Sequence, residues 1–207
     1  MDLPHVAERL PLEPMVEDAE YLQIGTYGGE LRRAADGGNW YNGKPIEEGL
    51  FRFTTQGTVE PNVAKGFSVS EDAKVYTIYL REGMKWSDGA ALTAKDFEFA
   101  WKRAASAALG ADYGYMFEVI KGYPDELAVE AIDEKTITVT LNNAVAYWNE
   151  LLAFPTYFPV REDVVANEGW ATDASTYVSN GAYSMTGWDH SSVITLTKNE
   201  NYWNAEN

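Results

Sequence analysis

Residues 57–103 read GTVEPNVAKGFSVSEDAKVYTIYLREGMKWSDGAALTAKDFEFAWKR, and the fold depends on how this run is parsed. VYTIYL (75–80) alternates, with Tyr76, Ile78 and Leu80 on one face and Val75, Thr77 and Tyr79 on the other, which predicts a half-buried strand. SEDAK (70–74) is its turn. REGMKWSDGAA (81–91) is a polar loop punctuated by Gly83 and Gly89. A helix then starts sharply: Thr93 is an N-cap residue, and Asp96 three positions on completes a pair of the capping-box kind. Phe97, Ala100, Trp101, Ala104 and Ala108 follow at helical spacing and Gly110 closes the run, so the helix is expected over 93–109. Its apolar stripe needs a sheet to cover, and the second strand expected in that sheet is Thr136–Leu141, with Ile137, Val139 and Leu141 inward.

Outward from this core the signals shorten. Residues 1–20 hold three prolines (Pro4, Pro11, Pro14) and read as an extended arm, ordered only by docking. Glu30–Ala34 reads as a strand leading into a Gly-rich loop. GKPIEEGLFRF (43–53) reads as a short helix after Pro45, stopped by Gly49, and then a strand. TTQGTVEP (54–61) is a hairpin-like turn on Gly57. Residues 111–126 are loop plus a short helix. Residues 146–154 form a helix ended by Pro155, and 159–169 another between Pro159 and Gly169. The tail, 181–203, is a hairpin turning at Asp189–Ser192. Strands and helices mix without a regular βαβ alternation, so the fold class is α+β (mixed α/β).

Composition narrows function by exclusion. A chain of 207 residues can bury roughly 70% of its unfolded surface. Sixteen Lys+Arg against 32 Asp+Glu give a net charge of −16, with a pI near 4.4, so neither nucleic acid nor an anionic membrane is an expected partner. The acid is uneven: residues 122–207 carry thirteen acids and three bases, Lys135, Arg161 and Lys198. Cysteine is absent, which rules out zinc ribbons, disulfide scaffolds and thiol catalysis. No apolar run approaches the roughly 18 residues of a membrane span. Met1-Asp2-Leu3-Pro4 is acidic, unlike the basic-then-apolar opening of a secretory signal, so the chain is expected either to be cytosolic or to have had its signal removed.

No catalytic set emerges. His5 and His190 are too few for a His-based triad or a His-rich metal site and read as surface residues. GTYGG (25–29) is not a dinucleotide fingerprint, and there is no Walker motif. WSDG (86–89) lacks the alternating acids of a calcium loop. It is expected to be structural, with the Asp88 carboxylate accepting backbone N–H groups and Gly89 at positive φ. The acid pairs Glu47-Glu48, Glu71-Asp72 and Glu162-Asp163 read as solvated turns and helix starts. Neither a cofactor nor a metal is expected. The surplus of 7 Trp and 13 Tyr is compatible with core or with the stacking walls of a ligand cleft.

The opening stretch also resembles the N-terminal signature of the family 5 extracellular solute-binding proteins, the oligopeptide- and dipeptide-binding components of ABC importers. The resemblance rests on ordered landmarks: Leu80-Arg81-Glu82-Gly83, Trp86-Ser87-Asp88-Gly89, and Leu92-Thr93-Ala94-Lys95-Asp96 before an aromatic-rich helix. GGELRRA (28–34), EEGLFRF (47–53), PTYFPV (155–160) and NGAYSMTGWDHSSVITLTKNENYW (180–203) fit further landmarks of that family. The resemblance implies the N-terminal part of a type II periplasmic-binding-protein-like fold of the large oligopeptide-binding class. It puts 21–45 and 180–207 in a first lobe and 46–179 in an inserted small α+β domain, with a second lobe beyond Asn207. It implies an extracytoplasmic protein that captures a peptide or similar solute between two lobes and delivers it to membrane permease subunits. The loop AADGGNWYNGK (34–44) departs from the family, which often has a longer stretch there containing a Leu-Asp-Pro phrase.

On that resemblance the ligand face is expected at Trp40 and Tyr41 from the Gly-rich loop and at Tyr113 and Tyr115 from the loop after the main helix, since both loops lie near the family's cleft. The chain without a second lobe is expected to bind no peptide or sugar at micromolar concentration, because half the contacts are missing while the rigid-body cost of association, about 4 kcal/mol or more, stays. The lobe-docking face is expected to be apolar near the 181–203 hairpin. The competing reading is a carbohydrate-binding module or a fragment of a glycan-processing enzyme, with the Trp/Tyr surplus as a sugar platform.

Overall fold

The structure, a computed structural model, describes residues 11–15, 28–32 and 43–204. Its centre is a sheet of four antiparallel strands, β3 (Ala64–Val69), β4 (Val75–Leu80), β5 (Val129–Ala131) and β6 (Thr136–Thr140), in the order β3-β4-β6-β5. Both strands expected from the alternation are present, and Ile78 stands opposite Ile137 and Tyr76 opposite Val139. Tyr76, Ile78, Leu80, Ile137, Val139 and Leu141 are all buried, as the period-2 pattern requires. A small hairpin, β1 (Phe51–Phe53) with β2 (Val59–Pro61), turns through Gly57 at φ +79° and precedes the sheet. A third antiparallel pair, β7 (Tyr183–Asp189) and β8 (Val193–Lys198), forms the expected tail hairpin.

The helix α2 (Ala94–Ala105) lies on β5 and β6. Asp96 reaches back to accept the Thr93 N–H at 2.7 Å, so the N-terminal signal is as expected. Ala94, Phe97, Ala100, Trp101 and Ala105 face inward. Burying a side chain such as Phe97 contributes about 1.5–3 kcal/mol. The helix ends four residues short of expectation. Ser106 adopts extended backbone, and its hydroxyl accepts the Ala108 N–H at 3.2 Å, a local bond that competes with helix continuation. Ala108 is therefore exposed rather than part of the buried stripe.

Other expected helices shrink to single turns. The helix expected over 146–154 is α3 (Trp148–Leu151) followed by a 3-10 turn, Pro155–Tyr157, and that over 159–169 is α4 (Glu162–Val165). Short helices are marginal on their own; in α3 the buried Trp148 anchors the turn in the aromatic core, whereas α4 buries no residue. The helix expected after Pro45 is α1 (Gly43–Ile46), which includes the proline in its single turn. The strand expected over Glu30–Ala34 is not formed at its described part: Leu31 is 86% exposed and Arg32 folds back to pair with Glu30 at 3.1 Å. The 111–126 segment holds the expected short helix as a 3-10 turn, Gly114–Val119.

Two polar seams complete the frame. The described part of the arm, Pro11–Met15, lies against the loop after β4: the Glu13 carbonyl accepts from Arg81 Nη1 at 3.0 Å, and its carboxylate pairs with Lys65 at 2.8 Å. The second seam joins 46–49 and the WSDG loop to the residues around the tail hairpin. Gly181 N–H donates to the Ile46 carbonyl at 2.8 Å, and Ser87 N–H to the Ser179 carbonyl at 2.7 Å. A Cβ at Gly181 would stand 2.4 Å from the Ile46 carbonyl carbon, so only glycine permits this approach.

Candidate functional site

The aromatic residues divide into an interior cluster and a rim. The interior one is built on Trp101, Phe117, Trp148 and Tyr157, all essentially inaccessible. Trp101 meets Tyr157 edge-on at 5.2 Å, and Tyr157 lies 4.4 Å from Phe117. Two of its polar ends are satisfied: Trp101 Nε1 donates to the Tyr157 carbonyl at 2.8 Å, and the Tyr157 hydroxyl to the Met116 carbonyl at 2.7 Å, whereas Trp148 Nε1 is buried without a hydrogen-bond partner. Burial pushes the Tyr157 phenol well above the usual tyrosine range.

The second bond matters for the rim, because it fastens the 3-10 turn Gly114–Val119 to the core. Gly114 sits against the end of α2, where a Cβ would be 2.9 Å from the Ala104 carbonyl oxygen. Asn142 Nδ2 donates to the Glu118 carbonyl at 2.9 Å. A turn held this way points Phe117 inward and leaves Tyr113 and Tyr115 51% and 58% exposed. The two rings are 6.2 Å apart, and Tyr113 lies 5.7 Å from Phe154. Tyr147, 56% exposed, flanks an adjoining groove of about 170 Å3 lined by Tyr115, Met116, Glu118, Val119 and Leu151.

Of the four residues expected at a ligand face, Tyr113 and Tyr115 are thus brought together on one rim. Trp40 and Tyr41 lie outside the described residues. The sequence reading missed Phe154 and Tyr147. Tyr147 is the N-cap residue of α3, just outside the turn that buries Trp148, and a helix expected over 146–154 gave no reason to single it out.

A second cavity, about 180 Å3, is lined by Glu47, Glu48, Arg52, Asn62 and Phe158 among others. Here the expectation of solvated carboxylates fails. Glu47 accepts from the Tyr177 hydroxyl, and Glu48 accepts from Tyr202 Oη at 2.6 Å and Trp203 Nε1 at 3.0 Å. Asn180 brackets Glu48 by accepting its N–H at 3.0 Å and donating to its carbonyl at 2.9 Å. Burial pushes both carboxyls above the usual glutamate range, against the lowering effect of these donors. The pair clasps the polar seam. Glu71-Asp72 and Glu162-Asp163 do lie in a turn and at a helix start, and Asp163 is held below the usual range by Arg161.

The WSDG loop has the expected turn chemistry. Ala90 N–H donates to Asp88 Oδ1 at 3.1 Å, and Gly89 has φ +90°. Asp88 Oδ2 also pairs with Arg161 at 2.6 Å. His190, exposed in the tail turn, stacks on Trp188 at 4.4 Å; His5 lies outside the described residues. Among the described residues no group of three or more His, Asp or Glu could hold a metal ion, and no helix is long and apolar enough to cross a membrane.

An antiparallel α+β unit seamed to a tail hairpin and bearing an exposed aromatic rim defines the class, the opening part of an oligopeptide-binding-protein fold. Residues 58–207 match the bacterial extracellular solute-binding proteins, family 5 (middle), and the chain belongs to that family. It is 42% identical over 170 residues to the oligopeptide-binding protein OppA of Bacillus subtilis, covering 77% of this chain and 31% of that protein. It is 38% identical over 178 residues to the dipeptide-binding protein DppE of the same organism, covering 81% and 33%. Among solved structures, the substrate-binding domain of an oligopeptide ABC transporter from Bacillus anthracis has a TM-score of 0.74 at 36% identity, covering 77% of this chain and 33% of that one. Listeria monocytogenes OppA bound to peptide matches with a TM-score of 0.74 at 35% identity, covering 78% and 34%. The chain spans about a third of the length of the curated relatives it matches.

Proposed function

We propose that the chain is the N-terminal portion of an extracytoplasmic solute-binding protein that captures a peptide between two lobes and hands it to the membrane subunits of an ABC importer. The observation that carries this reading is the 42% identity over 170 residues to a protein named for oligopeptide binding. In this reading residues 21–45 and 180–207 belong to the first lobe, 46–179 form an inserted small domain, and the remainder of the protein supplies the second lobe. The bonds joining Glu48 to Asn180, Tyr202 and Trp203 then fix the inserted domain to the first lobe, and Tyr113 and Tyr115, with Trp40 and Tyr41, face the solute. Tyrosine and tryptophan suit this role because they offer large contact area at small entropic cost. Closure of two lobes around a ligand excludes water and strengthens each polar contact.

The test is mass spectrometry of small molecules that co-purify with the longest natural protein carrying these residues. Short peptides are expected. An oligosaccharide recovered in their place would favour the carbohydrate-binding alternative and overturn the peptide reading.

A further inference from the structure

The groove beside the aromatic rim is a compartment in its own right. It is a half-open depression of about 170 Å3 between the 3-10 turn Gly114–Val119 and α3. An apolar cavity of roughly 150 Å3 suffices to hold a benzene ring. Tyr115, Met116, Val119, Tyr147 and Leu151 supply apolar or aromatic walls, and methionine adapts to aromatic rings through favourable sulfur contacts. The sixth lining residue is Glu118. Its backbone carbonyl is held by Asn142, yet its exposed carboxylate has no hydrogen-bond or ion-pair partner among the described residues. Among the described residues Glu118 is the one charged side chain lining the groove, so it favours a cation rather than an anion there.

We propose that this groove is a side-chain subsite that takes an aromatic residue of the bound peptide, with a positively charged side chain on an adjacent residue paired to Glu118. The proposal rests on the reading that Tyr113 and Tyr115 face the solute, and it adds a preference that this reading alone does not contain. The aromatic side chain removes apolar surface from water between Tyr115 and Tyr147. The neighbouring cation meets both the Glu118 carboxylate and the tyrosine faces.

The experiment is a protein-observed NMR titration of the 207-residue chain with the tripeptides Lys-Phe-Lys, Glu-Phe-Glu and Lys-Gly-Lys at millimolar concentration. Lys-Phe-Lys is expected to shift the Tyr147 and Glu118 amides and to bind about tenfold more tightly than either other peptide. Tyr147→Ala should bring Lys-Phe-Lys down to the affinity of Lys-Gly-Lys, and Glu118→Gln should bring it towards that of Glu-Phe-Glu. Both positions are exposed, so spectra of the variants should match the parent away from the groove. Equal responses to all three peptides, confined to Tyr113 and Tyr115, would overturn the subsite and leave the ligand face standing. No response at Tyr113, Tyr115 or Tyr147 to any of them would overturn both.

Discussion

The interior aromatics and the rim aromatics are separated by a single turn of chain, and they differ in what their polar atoms meet. Trp101 and Tyr157 bury their rings completely and spend their N–H and O–H on backbone carbonyls of the same core. Tyr113, Tyr115 and Tyr147 expose half or more of their surface. Phe117 and Tyr115, two positions apart on one 3-10 turn, fall on opposite sides of the divide. A high aromatic content therefore says little about function until the backbone is fixed, because the same residue types hold the fold on one side and form an open surface on the other.

The largest effect should come from the interior side. Trp101→Ala removes the ring that touches Phe97, Phe117, Trp148 and Tyr157 and leaves the Tyr157 carbonyl without its donor. A loss of about 3–5 kcal/mol is expected by chemical denaturation. A loss below about 1 kcal/mol would mean that the helix face is wrong. Next comes the backbone crossing at Gly181. Gly181→Ala puts a methyl into the Ile46–Glu47 backbone, which cannot move as a side chain could, so about 1–3 kcal/mol or more should be lost. An unchanged unfolding midpoint would show that 46–47 and 181 do not meet in solution.

A smaller, pH-dependent effect separates the polar seam from both aromatic clusters. Burial raises the Glu47 and Glu48 carboxyls, so between the ordinary glutamate range and their raised values the folded chain holds more protons than the unfolded one. Their contribution to stability is complete below the ordinary range and is lost as pH rises through the raised values. Denaturation midpoints measured from mildly acidic to neutral pH should fall along that window, and Glu47→Gln should flatten the slope. The Glu13 carboxyl, lowered by its bond to Lys65, acts with the opposite sign and at more acidic pH. An identical slope in parent and Glu47→Gln would place Glu47 in solvent.

What the sequence made legible was local. The alternation of Val75–Leu80, the Thr93–Asp96 start and the turn chemistry of Asp88-Gly89 each depend on residues a few positions apart, and each is present. The end of α2 was misjudged because the alanines up to Ala108 suit a helix, whereas the Ser106 hydroxyl bonds its own turn instead. The Glu47–Glu48 clasp was invisible for a different reason. Its partners Tyr177, Tyr202 and Trp203 lie 130 to 155 residues away, and no periodicity encodes a contact of that span. At the rim, Tyr113 and Tyr115 were reached through family resemblance, while Tyr147 was obscured by an expected long helix that is one turn in the structure.

The comparison between interior and rim is tested most directly by one pair of measurements on the double variant Tyr113→Ala/Tyr115→Ala: chemical denaturation alongside titration with Lys-Phe-Lys. Both rings are half exposed and the interior cluster does not depend on them, so the unfolding free energy should change by no more than about 1 kcal/mol. Peptide affinity should fall about tenfold or more. A variant that lost several kcal/mol of stability while binding the peptide as the parent does would contradict the account, because the rim would then be part of the core and the ligand face would lie elsewhere.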